Sequence, residues 1–235
     1  MKMGIIAAGV GDRLARGGII TPKPLTPVRG RPLITRLIEA GAQLNVDSIA
    51  CIVNDRDPSV AAFLRSGHWP VPVEIVVKTT PSSMESLFCL APLLSDEPFI
   101  LFTVDVVCAQ QVVKDFFRKA RTMEDSKGVL ALTGFVDDEK PLWAAINGCN
   151  RIIALGDAAR GSQFVTAGFY YFTPDIFAEI APARRRKLSA LRQFLGLLID
   201  EGYLIHGLPV PKTIDVDYAE DIAKAEAYLE EINEE

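Results

Sequence analysis

The sequence predicts an α/β protein with a mixed, mainly parallel central sheet and helices on both faces. Three observations carry this expectation. Short apolar runs of strand length alternate with amphipathic stretches along the first half; the first run breaks into a glycine loop; and 235 residues, 49% of them hydrophobic, suffice to enclose a sizeable core.

The first strand is expected over 4–8, where Gly-Ile-Ile-Ala-Ala runs without a polar side chain up to Gly9. A helix follows over 32–44, and SIACIVN at 48–54 makes the second strand. Residues 58–64 read as a short helix and 73–77 as the third strand. Over 83–94, Met84, Leu87, Leu90, Leu93 and Leu94 recur at helical spacing. PFILFTV at 98–104 is the fourth strand, and a helix covers 110–122. Strand, crossover and strand repeated in this way imply parallel pairing with right-handed connections, so the first half is Rossmann-like.

Beyond 126 the strands come with less helix between them, at 129–135, 142–146, 151–154 and 164–172. The sheet is therefore expected to continue as a mixed antiparallel extension over a ligand. Residues 175–180 and 188–201 read as helices, 203–208 as a strand and 219–232 as a terminal helix. No composition shift, Gly/Ser-rich linker or internal repeat divides the chain. The expectation is a single domain, 1–235, with halves 1–125 and 126–235. The basic run Arg184-Arg185-Arg186-Lys187 reads as a solvated loop, with an anion or partner site as the alternative.

A formal net charge of −5 with only two histidines leaves no electrostatic footprint for a nucleic-acid backbone, so nucleic acid is not an expected partner. Cys51, Cys89, Cys108 and Cys149 lie far apart and form no Cys-x-x-Cys pair, which indicates neither a zinc knot nor a disulfide framework. No apolar run approaches the roughly 18 to 20 residues of a membrane span, and the first is too short for a secretion signal. A cytoplasmic protein without a membrane partner is expected. The oligomeric state is left open, a homodimer included.

The chemistry-bearing residues begin where the first strand ends. Gly9 and Gly11 are expected to take positive φ and bring backbone N–H groups close to an anion. Arg13 forks onto phosphate oxygens, and Lys23 adds a mobile point charge. A dinucleotide fingerprint needs a third glycine where Leu14 stands, and an acid about 20 residues on, where the chain reads Arg29-Gly30-Arg31. The pattern of a P-loop does not occur in this segment either.

Ile6-Ala7-Ala8-Gly9-Val10-Gly11-Asp12-Arg13-Leu14, Pro22-Lys23-Pro24-Leu25 and Gly30-Arg31-Pro32-Leu33 follow in an order and spacing that resemble a known signature. It is that of the nucleotidyltransferases of the sugar-phosphate pyrophosphorylase type, which share a glycosyltransferase-A-like fold. The resemblance extends over almost the whole chain. It implies a nucleoside triphosphate held by the backbone around Ala7, Ala8, Gly9 and Gly11, with Arg13 on the β and γ phosphates and Lys23 at the α phosphate. Asp105, after the fourth strand, stands where the family places a Mg²⁺-binding aspartate, and the carboxyl end of a central parallel strand faces the ligand crevice of an open sheet. The late acidic segment 214–221 resembles the family's source of a second ligand. Alternate residues of an extended stretch face one way, so Asp215 and Asp217 both stand, with Asp215 preferred. A helix N-cap is the competing reading for Asp217.

Residues 79–87 occupy the family's place for the nucleobase, which implies contacts from Ser82, Ser83 and Met84; the two serines are also candidate helix caps. Residues 166–172 resemble the strand beside the acceptor and nominate Gly168 and Tyr170. The Glu-Lys-Pro that such enzymes often carry near the sugar hydroxyls is absent from 153–157. A phospho-alcohol such as phosphocholine or a polyol phosphate therefore stands beside a sugar 1-phosphate as acceptor. The implied reaction transfers a nucleoside monophosphate to that phosphorylated small molecule and releases pyrophosphate, with Mg²⁺ as cofactor. Two alternatives stay open: a glycosyltransferase of the same fold, against which Val106-Val107 follow Asp105 in place of a D-x-D, and a non-catalytic nucleotide-binding module.

Overall fold

The apolar runs become the middle of one sheet. The computed structural model describes residues 1–137 and 140–234. Its first half runs β1 (Lys2–Ala7), α1 (Asp12–Arg16), β2 (Pro27–Val28), β3 (Arg31–Pro32), α2 (Leu33–Gln43), β4 (Ser48–Val53), α3 (Pro58–Ser66), β5 (Val73–Val77), α4 (Ser83–Leu94), β6 (Phe99–Thr103), β7 (Val106–Val107) and α5 (Gln110–Ala120). The second half continues with β8 (Gly128–Thr133), β9 (Trp143–Ile146), β10 (Ile152–Leu155), β11 (Phe164–Phe172), α6 (Ile180–Arg185), α7 (Leu191–Asp200), β12 (Ile205–Val210), β13 (Ile214–Asp215) and α8 (Ala219–Glu231).

Strands β5, β4, β1 and β6 lie side by side and parallel, with Ile5 in register between Cys51 and Phe102. On the other edge of β6, β11 runs antiparallel and carries β8, which pairs in parallel with β12. The β9–β10 hairpin joins the start of β11. One sheet thus contains strands from both halves, and the antiparallel extension lies in the second half, as expected.

Residue alternation assigns each strand two cores. Met3, Ile5, Cys51 and Phe102 pack on one face with α2, α5 and α8, while Ile6, Ile52, Phe99 and Leu101 pack on the other with α4 and α7. Burying a side chain such as Phe102, which is fully enclosed and stacked on Phe169 at 5.3 Å, contributes about 1.5–3 kcal/mol. No helix among the described residues is long and apolar enough to cross a membrane.

Several boundaries differ from expectation for local reasons. The strand expected over 203–208 lies at 205–210, where β12 pairs with β8 along its length and touches the chain before β10 only through the Arg151–His206 bridge and the Gly207 N–H, so Pro209 is tolerated on its open edge. The helix expected from 188 begins at Leu191, after Ala190 in an extended conformation. Residues 174–179 form a 3₁₀ turn running into α6. Helix α1 and the short β7 and β13 ribbon carry too few residues to show a period, and were not anticipated.

Candidate functional site

The glycine loop leaves the carboxyl end of β1 and enters α1 through Gly11, whose φ of 73° and ψ of 27° are left-handed. That residue needs to be glycine on two counts. A Cβ there would also stand 3.1 Å from the Cβ of Lys23, so the loop packs directly on the lysine stem. Gly9 corrects the expectation: it is exposed, lies outside the left-handed region, and an added Cβ would meet nothing within 4 Å. The chain's own packing does not require glycine at that position. Gly11→Ala is expected to lower stability by about 1–2 kcal/mol through backbone strain alone and to shift Lys23, which urea denaturation and an activity assay on the variant would read.

Lys23 opens a 3₁₀ turn, Lys23–Leu25, and its side chain is only 10% exposed. The ammonium lies 2.8 Å from Oδ2 of Asp105 and 2.5 Å from Oδ1 of Asp217. The other oxygen of Asp217 accepts from Nη1 of Arg13 at 2.7 Å. The Arg13 guanidinium sits 5.4 Å from the centroid of the Tyr218 ring. Burial opposes the charge on Lys23, but the two carboxylates outweigh it and raise its pKa well above the ordinary value. Burial likewise pushes Asp105 up, and the Lys23 charge and hydrogen bond override it, holding the carboxyl below its usual range.

Residues more than a hundred positions apart meet here because of the β7–β13 ribbon. Val106 faces Asp215 in that pair, and the Val216 N–H donates to the Asp105 carbonyl at 2.9 Å. Asp217 follows on the same stretch and does not serve as the N-cap of α8. The N-cap residue is Tyr218, and Asp221, third in the helix, accepts from the Asp217 and Tyr218 N–H groups at 3.1 and 2.8 Å. Of the two late acids, Asp217 is the one that shares Lys23 with Asp105; Asp215 lines the same cleft alongside them.

A cleft of about 240 Å³ opens from these carboxylates toward the second half. Ser83, Gly168, Tyr170 and Arg192 also line it. Ser82 caps α4, accepting from the Glu85 N–H at 3.3 Å. The Met84 side chain is 1% exposed and belongs to the core. Gly168 has φ +75° inside a register shift of the β11–β8 pair, and its carbonyl accepts from the Thr103 hydroxyl at 3.1 Å. Glycine there is demanded by the bulge itself. Tyr170 is 5% exposed, and burial holds its phenol protonated.

The basic run is partly consumed by structure. Arg184 forks onto Glu85, at 3.1 and 2.7 Å, and Arg186 pairs with Glu201, so these two tie α6 and the residues after it to neighbouring helices. Sequence reasoning missed the cleft hydroxyls of Thr103, Thr133, Thr166 and Thr213, together with Arg192 and Tyr218. Arg192 follows Leu191 in a helix and looks like any solvent-face charge; a threonine in a strand looks like β propensity.

Among the described residues, no three His, Cys, Asp or Glu side chains are arranged as a metal-binding group. The donor set of Asp105 and Asp217 nevertheless fits Mg²⁺. They are two hard oxygen donors already gathered around one cation, the Lys23 ammonium, and Mg²⁺ usually takes one or two carboxylates and completes its shell with waters and substrate phosphates.

Comparison with known proteins gives the family and agrees with the fold. A family model described as the MobA-like NTP transferase domain matches residues 3–193. The chain is 24% identical to UTP–glucose-1-phosphate uridylyltransferase AglF of Haloferax volcanii, over 98% of this chain and 97% of that protein. It is 30% identical over 112 residues to CMP-5'-(3-aminopropyl)phosphonate synthase of Streptomyces rubellomurinus, covering 47% of this chain but only 18% of that longer protein. Among solved structures, the inositol-1-phosphate CTP transferase from T. maritima superposes with a TM-score of 0.79 at 18% identity, covering 98% of this chain and 96% of that one. An apo UDP-glucose pyrophosphorylase gives 0.83 at 16% identity, over 99% of this chain and 100% of the other. These two likenesses bear on the fold, which is of the glycosyltransferase-A-like, Rossmann type. With the family model spanning most of its length, the chain belongs to the MobA-like NTP transferase domain family.

Proposed function

We propose that this protein transfers a nucleoside monophosphate from a nucleoside triphosphate to a phosphorylated small molecule and releases pyrophosphate. The observation that carries the reading is the convergence of Arg13 and Lys23 on Asp105 and Asp217 at the carboxyl ends of the parallel strands. In this reading the chain acts as one unit, with 1–125 holding the nucleotide and 126–235 the acceptor. It works in the cytoplasm, where its triphosphate is made.

An acceptor phosphate is already ionised at neutral pH, so no general base is required. The difficulty is to align two polyanions and neutralise the charge that accumulates between them. Ala7, Ala8, Gly9 and Gly11 approach the nucleotide with main-chain groups, and the open space over Gly9 lets a ligand come close. Ser82, Ser83 and the Met84 N–H lie at the start of α4, on the nucleobase side. Arg13 binds the β and γ phosphates and the departing pyrophosphate, and Lys23 neutralises the α phosphate. Asp105 and Asp217 would hold Mg²⁺, with Asp215 next to them. Bound there, the ion supplies further charge neutralisation on phosphate oxygens. Gly168 and Tyr170 shape the acceptor side.

The relatives' names point to the acceptors to try: a sugar 1-phosphate, inositol 1-phosphate and an aminoalkyl phosphonate, with phosphocholine added. Each triphosphate is incubated with Mg²⁺ and this pool while pyrophosphate is measured. Acceptor-dependent release is expected, and EDTA should abolish it. Release that continues undiminished in EDTA would remove the metal from the scheme, and no release with any triphosphate would defeat the transferase reading.

A further inference from the structure

The acceptor end of the cleft holds a cation that the scheme above leaves without a task. Arg192 stands in the first turn of α7 and lines the same cleft as Asp105, Gly168 and Tyr170. Its guanidinium donates to the Lys140 carbonyl at 3.1 Å, which ties it to the loop facing α7. Among the described residues it has no carboxylate partner, whereas Arg13, Arg184 and Arg186 each have one. The buried Tyr170 lines the same cleft as Arg192, Asp105 and Asp215.

A phosphate dianion entering this cleft meets the carboxylates of Asp105, Asp215 and Asp217, repulsive until countered, while the other two lining acids, Asp137 and Asp221, are paired with Lys224. Arg13 and Lys23 are already engaged with those acids. Arg192 is the cation that lines the acceptor end among the described residues, and a guanidinium matches two phosphate oxygens at once. Thr103, Thr133, Thr166 and Thr213 also line the cleft; the Thr103 hydroxyl donates to the Gly168 carbonyl and that of Thr133 accepts from the Phe135 N–H, which makes a polar lining that suits a hydroxylated body. Resting on the transferase reading, we propose that Arg192 binds the phosphate or phosphonate group of the acceptor, and that the acceptor is a hydroxyl-bearing phosphomonoester or phosphonate.

The test is binding, independent of turnover. Wild type, Arg192→Ala and Arg192→Lys are first titrated with non-hydrolysable analogues of the common triphosphates in Mg²⁺. The complex is then titrated with inorganic phosphate, glucose 1-phosphate and inositol 1-phosphate, with glucose and inositol as phosphate-free controls. Phosphorylated probes should bind wild type, weaken at least tenfold in Arg192→Ala and recover part of the loss in Arg192→Lys, while the affinity for the triphosphate analogue stays within about twofold. Equal affinity of Arg192→Ala and wild type for the phosphorylated probes overturns the proposal. So does wild type that binds the triphosphate analogue but none of those probes, an outcome that leaves the nucleotide site standing. Wild type that binds no triphosphate analogue overturns the transferase reading, and the Arg192 assignment with it.

Discussion

Lys23→Ala is expected to lower turnover by about 100- to 1,000-fold, the scale on which one preorganised charge-stabilising donor acts. The reason is local. Lys23 is the cation that both Asp105 and Asp217 share, and Gly11 packs against its stem, whereas Arg13 pairs with the far oxygen of Asp217. Lys23→Arg should recover little, because a forked, longer guanidinium does not reproduce a point charge held between two carboxylates. Steady-state pyrophosphate release measures both variants; turnover of Lys23→Ala within about threefold of wild type would remove Lys23 from the mechanism.

The same substitution has a signature in pH. Asp105 is held below its ordinary value of 3.8, chiefly by Lys23 acting against burial. A carboxylate of depressed pKa contributes stability that is fully present above its unfolded value and is lost as pH falls through the folded one. Without Lys23 that contribution disappears. The stability gap between wild type and Lys23→Ala should therefore be widest near neutrality and close as the pH drops below about 4. Urea denaturation at pH 7 and at pH 3 gives the comparison, and a gap that widens in acid contradicts the ion-pair account.

Gly168→Ala is expected to cost about 2–5 kcal/mol of stability, combining left-handed backbone strain with overpacking. Its φ is +75°, and the added Cβ would stand 2.8 Å from Cγ2 of Val106 and 2.9 Å from Oγ1 of Thr103. Neither neighbour is the loose end of a long side chain: Val106 belongs to the β7–β13 ribbon, and Thr103 ends β6. Displacing them moves Asp105, which lies between the two, so activity should fall together with the denaturation midpoint. A variant within about 0.5 kcal/mol of wild type would mean that the bulge can relax, and would return Gly168 to a simple contact role.

Long, strongly patterned elements were legible to within a residue or two at their ends. SIACIVN and PFILFTV became β4 and β6, and the leucine spacing over 83–94 became α4 with its register intact. Short elements were not, since five residues of α1 or two of β7 contain no full period. Around the site, the residues with a conspicuous pattern that the fold brings together are Arg13, Lys23, Asp105 and Asp217. Gly9 shows the limit of such pattern reading: its backbone is ordinary where glycine suggested a left-handed one.

Chemical type and strand order are written along the chain, because hydrophobic period and glycine, proline and charge placement act over a few neighbours. From these alone follow the α/β sheet, the anion-seeking loop at its first strand end and the pool of acids available to it. Which acid meets the lysine, and which arginine lines the cleft, depended on distances between segments remote in sequence. The β7–β13 pairing carried Asp217 to Lys23, and the docking of α7 beside β10 and α4 brought Arg192 to the cleft. Side-chain partnership across 194 positions is an outcome of packing the two halves onto one sheet, and no local period encodes it.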